Sequence, residues 1–217
     1  MMGHCIRLAA RLRLWVRSLP EAGALSAGML TIGTLALAVL PPAGAGESAA
    51  ASQRHQDWAT LIHEPGNLYS VTPTFFRSAL LRKDDVKRLQ ALGIKTVVSL
   101  RAFHNDEKVL KGSGIKPVSV PINTWDISDR KIIEALRAIR TAEQHGPVLL
   151  HCQHGADRTG LVTAMYRILY QQRSKEDALR EMKEGGYGYH AVWKNIESYL
   201  LKVDVEAVRA GVEKESP

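Results

Sequence analysis

Apolar and polar positions divide the chain into three regimes. From residue 22 to 40 no position is charged, and the run is most apolar between 29 and 40. From 46 to about 52 the residues are small, mostly Ala and Ser, without helical or strand period, as in a flexible linker. From about Asp57 onward, short apolar runs alternate with amphipathic stretches. Residues 67–71 read as a short strand. Residues 83–92 place Val86, Leu89 and Leu92 at helical spacing and end at Gly93, where a helix C-terminus favours a left-handed residue. The β-branched run 94–100 predicts a buried strand, and 106–110 a short helix stopped by Gly112 and Gly114. Residues 116–122 predict a strand that Pro117 and Pro121 push to a sheet edge. Ile132, Ile133, Leu136 and Ile139 mark one face of a helix reaching about Gln144. Residues 147–150 form the next strand, which runs straight into His151-Cys152, and 159–170 a helix. Two further helices are expected near 175–183 and 191–203, on either side of Gly185-Gly186-Tyr187-Gly188.

This alternation predicts an α/β domain in which helices flank a central, mostly parallel sheet. It spans 57–204, after an N-terminal segment (1–45) and the linker (46–56), and before a solvated helical tail (205–217). A chain of 217 residues accommodates that plan.

The N-terminal segment changes the picture of where the domain works. Arg7, Arg11, Arg13 and Arg17 precede the apolar run, and Pro41-Pro42-Ala43-Gly44-Ala45 follows it, an A-x-A pattern suited to signal peptidase. The expectation is a cleaved signal peptide, the alternative an anchor tethering the chain to the membrane through 22–40. Either way the basic flank stays cytoplasmic and the domain is exported, periplasmic or membrane-anchored facing the periplasm. Four arginines against Glu21 give the segment +3 of the formal +7, leaving +4 for the remainder. A mildly basic domain attracts phosphorylated substrates but gives no argument for nucleic-acid binding. Of the two cysteines, Cys5 lies in the leader, so Cys152 is the one thiol of the expected mature chain and a candidate reactive residue.

The chemistry concentrates in His151-Cys152-Gln153-His154-Gly155-Ala156-Asp157-Arg158-Thr159-Gly160. A strand ends at the cysteine, a short loop follows, and a helix begins. That turn aims backbone N–H groups and a helix N-terminus at one point, an anion site built from Gln153, His154, Gly155, Ala156, Asp157 and Arg158. The same amides favour a thiolate at Cys152. Arg158 closes the far side with a planar fork suited to two phosphoryl oxygens. Thr159 offers a hydroxyl toward the sulfur, and His151 a second hydrogen-bonding group behind it. The His and Cys positions fit no zinc spacing, so no metal or other cofactor is expected.

The segment resembles the His-Cys-x-x-Gly-x-x-Arg-Thr-Gly signature of cysteine-dependent tyrosine and dual-specificity phosphatases. Asn67-Leu68-Tyr69, Arg77-Ser78-Ala79, Leu92-Gly93-Ile94 and 97–101 are similar to the N-terminal half of the bacterial exported members, and 185–190 to their C-terminal part. The resemblance implies that fold and metal-independent hydrolysis of phosphotyrosine, with phosphoserine and phosphothreonine as further candidates, through a phosphocysteine. The substrate would be a phosphorylated protein, an exported or membrane-protein domain. The resemblance also implies an aspartic acid, on a loop before the signature strand, that protonates the leaving oxygen. In Asn123-Thr124-Trp125-Asp126-Ile127-Ser128-Asp129 the first choice is Asp126; Asp129 stands where a helix N-terminus favours an acid anyway. Arg101 reads as structural, and Tyr187, Tyr189 and His190 as packing residues or pocket flanks. Two alternatives remain: an inositol phosphate or phosphoinositide phosphatase, disfavoured by a loop without lysine, and an inactive phosphopeptide-binding module.

Overall fold

The computed structural model describes residues 55–214. The expected signal or anchor, its apolar run at 22–40 and most of the linker lie outside the described residues. Among the described residues no helix is long and apolar enough to cross a membrane.

Among the described residues six strands form one sheet: β1 (Thr60–His63), β2 (Leu68–Ser70), β3 (Phe75–Ser78), β4 (Thr96–Ser99), β5 (Lys116–Ser119) and β6 (Val148–His151). Their spatial order is β1-β2-β3-β6-β4-β5. The pairs β3/β6, β6/β4 and β4/β5 are parallel, whereas β1/β2 and β2/β3 are antiparallel. The mostly parallel sheet thus carries an antiparallel margin. The strand with Pro117 is at the edge, as its missing N–H requires.

Among the described residues seven α-helices cover the sheet: α1 (Asp85–Ala91), α2 (Glu107–Leu110), α3 (Asp129–Glu143), α4 (Asp157–Gln171), α5 (Lys175–Glu184), α6 (Lys194–Lys202) and α7 (Val205–Glu213). Strand alternation sorts side chains into two cores. Phe75, Val98, Val148 and Leu150 join the larger core, packed with residues of α3 to α7. Phe76, Val97 and Leu149 face the smaller one, with Leu89 of α1 and Leu110 of α2. Helix α4 is buried along most of its length, and this rigid seat fixes the loop that precedes it.

Three features depart from expectation. Strand β1 is exposed at three of its four positions and lacks a clear alternating pattern. Strand β3 reads Phe-Phe-Arg-Ser, whose polar half hides a segment buried at all four positions. The expected tail is a docked helix: Val208 of α7 is fully buried in the larger core. Arg209 Nη1 donates to Leu169 O at 2.9 Å, and Arg137 Nη2 to Lys214 O at 2.6 Å. The domain therefore continues through α7.

Candidate active site

The loop between β6 and α4 is shaped by where its carbonyls go. His151 Nδ1 meets Cys152 O at 3.0 Å, Leu80 N donates to Gln153 O at 3.2 Å, Asn67 Nδ2 to His154 O at 2.8 Å, and Arg77 Nη2 to Gly155 O at 2.6 Å. Each carbonyl is pulled outward by a surrounding element. In a planar trans peptide, turning a C=O outward turns the following N–H inward. The loop amides therefore converge on the hollow beside Cys152, which is itself 2% exposed. Gly155 has φ +71°, and a Cβ there would collide with the backbone of Ser78 and Ala79. The loop thus lies against the end of β3 as only glycine permits.

Arg158, in the first turn of α4, anchors one guanidinium nitrogen: Nη1 donates to Ile122 O at 3.0 Å and Leu100 O at 3.2 Å. That leaves Nε and Nη2 to face an anion. Beside it opens a cleft of about 230 Å³ lined by Arg101, Ala102, Phe103, His104, Asn123, Thr124, Trp125, Gln153 and Arg158. Phe103 and Trp125 stand exposed at its rim. Arg101, read as structural from the sequence, adds a second cation to the cleft.

Behind the loop lies a buried polar layer, in which the sequence marked His151 but assigned no role to Asp106 or Arg77. His151, fully buried, places Nε2 2.6 Å from Asp106 Oδ2, also buried. Arg77, 1% exposed, lies with Cζ 3.6 Å above the Tyr187 ring. Burial pushes its guanidinium pKa down, while Tyr187, Glu181 and Cys152 oppose the shift. The coupling to Cys152 is reciprocal: Arg77 places positive potential at the sulfur. Asn67 sits in the left-handed region at φ 47° and bridges His154 O to Tyr187 O, the latter at 2.9 Å. Tyr187 is therefore a packing residue, 2% exposed.

Other expected residues are placed differently. Thr159 is fully buried, and its hydroxyl makes no hydrogen bond, to the sulfur or to any other group of the described residues. The Asp157 carboxylate is turned out of the loop, accepting from His190 N at 2.9 Å and meeting His190 Nδ1 at 2.9 Å. Asp126 is not in the cleft. Its carboxylate pairs with Lys131 on α3 and lines a separate cavity together with Asp129 and Tyr199. The residues lining the Arg158 cleft include no acid among those described. Asp129 Oδ1 accepts from Tyr199 Oη at 2.8 Å. Burial, and then Asp129 itself, push the Tyr199 pKa up, so the phenol remains a donor to a carboxylate in the first turn of α3.

Comparison with known proteins agrees with this architecture. Residues 70–192 match the family model described as Swiss Army Knife protein, DSP-PTPase phosphatase domain. The chain is 39% identical over 169 residues to the dual specificity protein phosphatase TpbA of Pseudomonas aeruginosa, covering 77% of this chain and 76% of the relative. A crystal structure of P. aeruginosa TpbA in complex with pTyr superposes with a TM-score of 0.70 at 36% identity, over 75% of this chain and 99% of that one. A rice inositol diphosphatase is 31% identical over 121 residues, 52% of this chain and 59% of its own length.

Proposed function

The chain belongs to the DSP-PTPase phosphatase domain family, and from that premise we propose that it hydrolyses phosphotyrosine on proteins, with phosphoserine and phosphothreonine as further substrates. The observation that carries the reading is the ring of outward-tied carbonyls around Cys152, which gathers the loop amides opposite the open edge of Arg158. A phosphoryl group seated there places phosphorus against Sγ, with its oxygens on amides and guanidinium. Sγ attacks, the S–P bond forms, and the P–O bond to the leaving group breaks. Water then attacks the phosphocysteine, returning the thiolate and releasing inorganic phosphate. The exposed Phe103 and Trp125 at the cleft rim suit an aromatic leaving group.

Asp126 is the proposed proton donor. To act it must leave Lys131 and turn past Trp125 into the cleft, so the loop at 123–128 moves during turnover. Thr159 is proposed to donate its unpartnered hydroxyl to the thiolate when that charge forms.

The test is turnover without added metal of a phosphotyrosyl peptide, a phosphoseryl peptide and an inositol pyrophosphate. Hydrolysis of the peptides, abolished in Cys152→Ser, is expected. Preference for the inositol substrate would instead favour the activity of the rice relative. We also infer export, from the basic lead, the uncharged run at 22–40 and Ala43-Gly44-Ala45. A fusion of residues 1–50 to a reporter active only outside the cytoplasm should give signal, and a silent fusion refutes export.

A further inference from the structure

Two histidines meet a buried carboxylate at the loop rim. His154, Asp157 and His190 each offer one donor atom, and these atoms all lie within 4.8 Å of one another. The Asp157 carboxylate is fixed at the start of α4 and buried, whereas both imidazoles are exposed. His190 Nδ1 lies 2.9 Å from Asp157 Oδ2, and the rings of His154 and His190 are 5.2 Å apart between centroids. Two ligand atoms on one tetrahedral zinc stand about 3.3 Å apart, given bonds of about 2.0–2.1 Å. The His190–Asp157 pair is near that spacing already, and the exposed His154 ring needs only to close on it.

We propose that His154, Asp157 and His190 form an inhibitory site for a divalent transition ion of the zinc class. Two imidazoles and one carboxylate suit such an ion, whereas Mg²⁺ prefers oxygen ligands and retains its water. On binding, the ion takes the place of the Nδ1 proton of His190, whose imidazole then carries its proton on Nε2. The fourth position is left for water or a phosphoryl oxygen. Two of the ligands belong to the phosphate loop and the third to the segment after α5, so the ion ties the loop to its rim. The ion also brings two positive charges to the phosphate loop, where they retain phosphate. The site is absent from sequence spacing because His190 lies far along the chain.

The test separates this site from zinc captured by the thiolate. Competition of full-length Cys152→Ser protein against a chromophoric chelator is expected to find one Zn²⁺ per chain, undisturbed by Mg²⁺. Adding His190→Gln keeps an N–H donor beside Asp157 but removes the imidazole, and affinity should fall about tenfold or more. With Cys152 intact, Zn²⁺ should inhibit p-nitrophenyl phosphate hydrolysis reversibly, and His190→Gln should raise the half-inhibitory zinc concentration by a similar factor. Equal zinc affinity with and without His190, binding that vanishes in Cys152→Ser, or binding without inhibition overturns the proposal. The binding readout needs no turnover, so it stands or falls separately from the phosphatase reading.

Discussion

Replacing Gly155 by alanine tests whether the loop is held by close approach to β3. A Cβ built there stands 2.5 Å from Ser78 O, 2.6 Å from Ser78 C and 2.7 Å from Ala79 N. Carbon contacts settle at about 3.5–4.0 Å, so the loop must withdraw by about 1 Å. Backbone is rigid, and the bonds from Arg77 to Gly155 O and from Leu80 to Gln153 O stretch or break as it moves. Left-handed alanine costs about 1–2 kcal/mol, and each lost bond about 1 kcal/mol more, for a total of about 2–4 kcal/mol. Gly93 supplies the control. Its φ is +72°, nearly the same, but a Cβ there meets nothing within 4 Å. Gly93→Ala should therefore cost about 1–2 kcal/mol in urea denaturation and leave kcat/KM unchanged. Gly155→Ala should cost more and, through about 1 Å of misplacement at the phosphate site, lower kcat/KM about 10²-fold. If both variants lose equal stability, or Gly155→Ala keeps kcat/KM within about threefold of the parent, the close approach does not position the loop.

Three further variants probe the departures from expectation. Asp126→Asn should slow phosphotyrosine hydrolysis by about 10²–10⁴-fold and an activated aryl phosphate much less, whereas Asp129→Asn, whose amide oxygen still accepts from Tyr199, should lose only the helix-end charge, about 0.3–1 kcal/mol; the reverse contrast would exchange their roles. Deleting residues 205–217 should lower stability by at least the about 1.5–3 kcal/mol of a buried valine, Val208, read as a lower urea midpoint; an unchanged midpoint would return α7 to the status of a tail.

The fold was legible wherever burial leaves a periodic trace. Strands β4 and β6 have apolar residues on both faces because helices cover both, and α3 shows its apolar stripe directly. Strand β3 is as buried as these, but its third residue is Arg77, charged and recruited to hold the loop. A polar residue with a structural task erases the pattern that would reveal the strand. Helix α7 was legible but underweighted: Val205, Val208 and Val212 stand at helical spacing and pack on the larger core, and only the arginine contributed from α3 lies outside 205–217.

At the site, what is local in sequence was readable and what is local only in space was not. Cys152, Gly155 and Arg158 stand in one turn between a strand and a helix, so their spacing carries their geometry. Asn67, Arg77 and Asp106 come from three separate segments; Asn67 ties two carbonyls, and Arg77 and Asp106 one group each at the site. No spacing rule joins them to the loop, yet removing Arg77 or Asp106 leaves a buried polar group unpaired, at a cost of about 1–3 kcal/mol. Asp126 shows the complementary limit. Sequence gives the acid and its loop, but Lys131, one turn into α3, decides where the carboxylate rests. An ion pair whose carboxylate is 58% exposed is worth about 0–1 kcal/mol, little enough for a bound phosphate and its leaving group to outbid. The outward position of Asp126 is therefore compatible with a resting state that substrate reverses, and incompatible with a fixed catalytic geometry before substrate arrives.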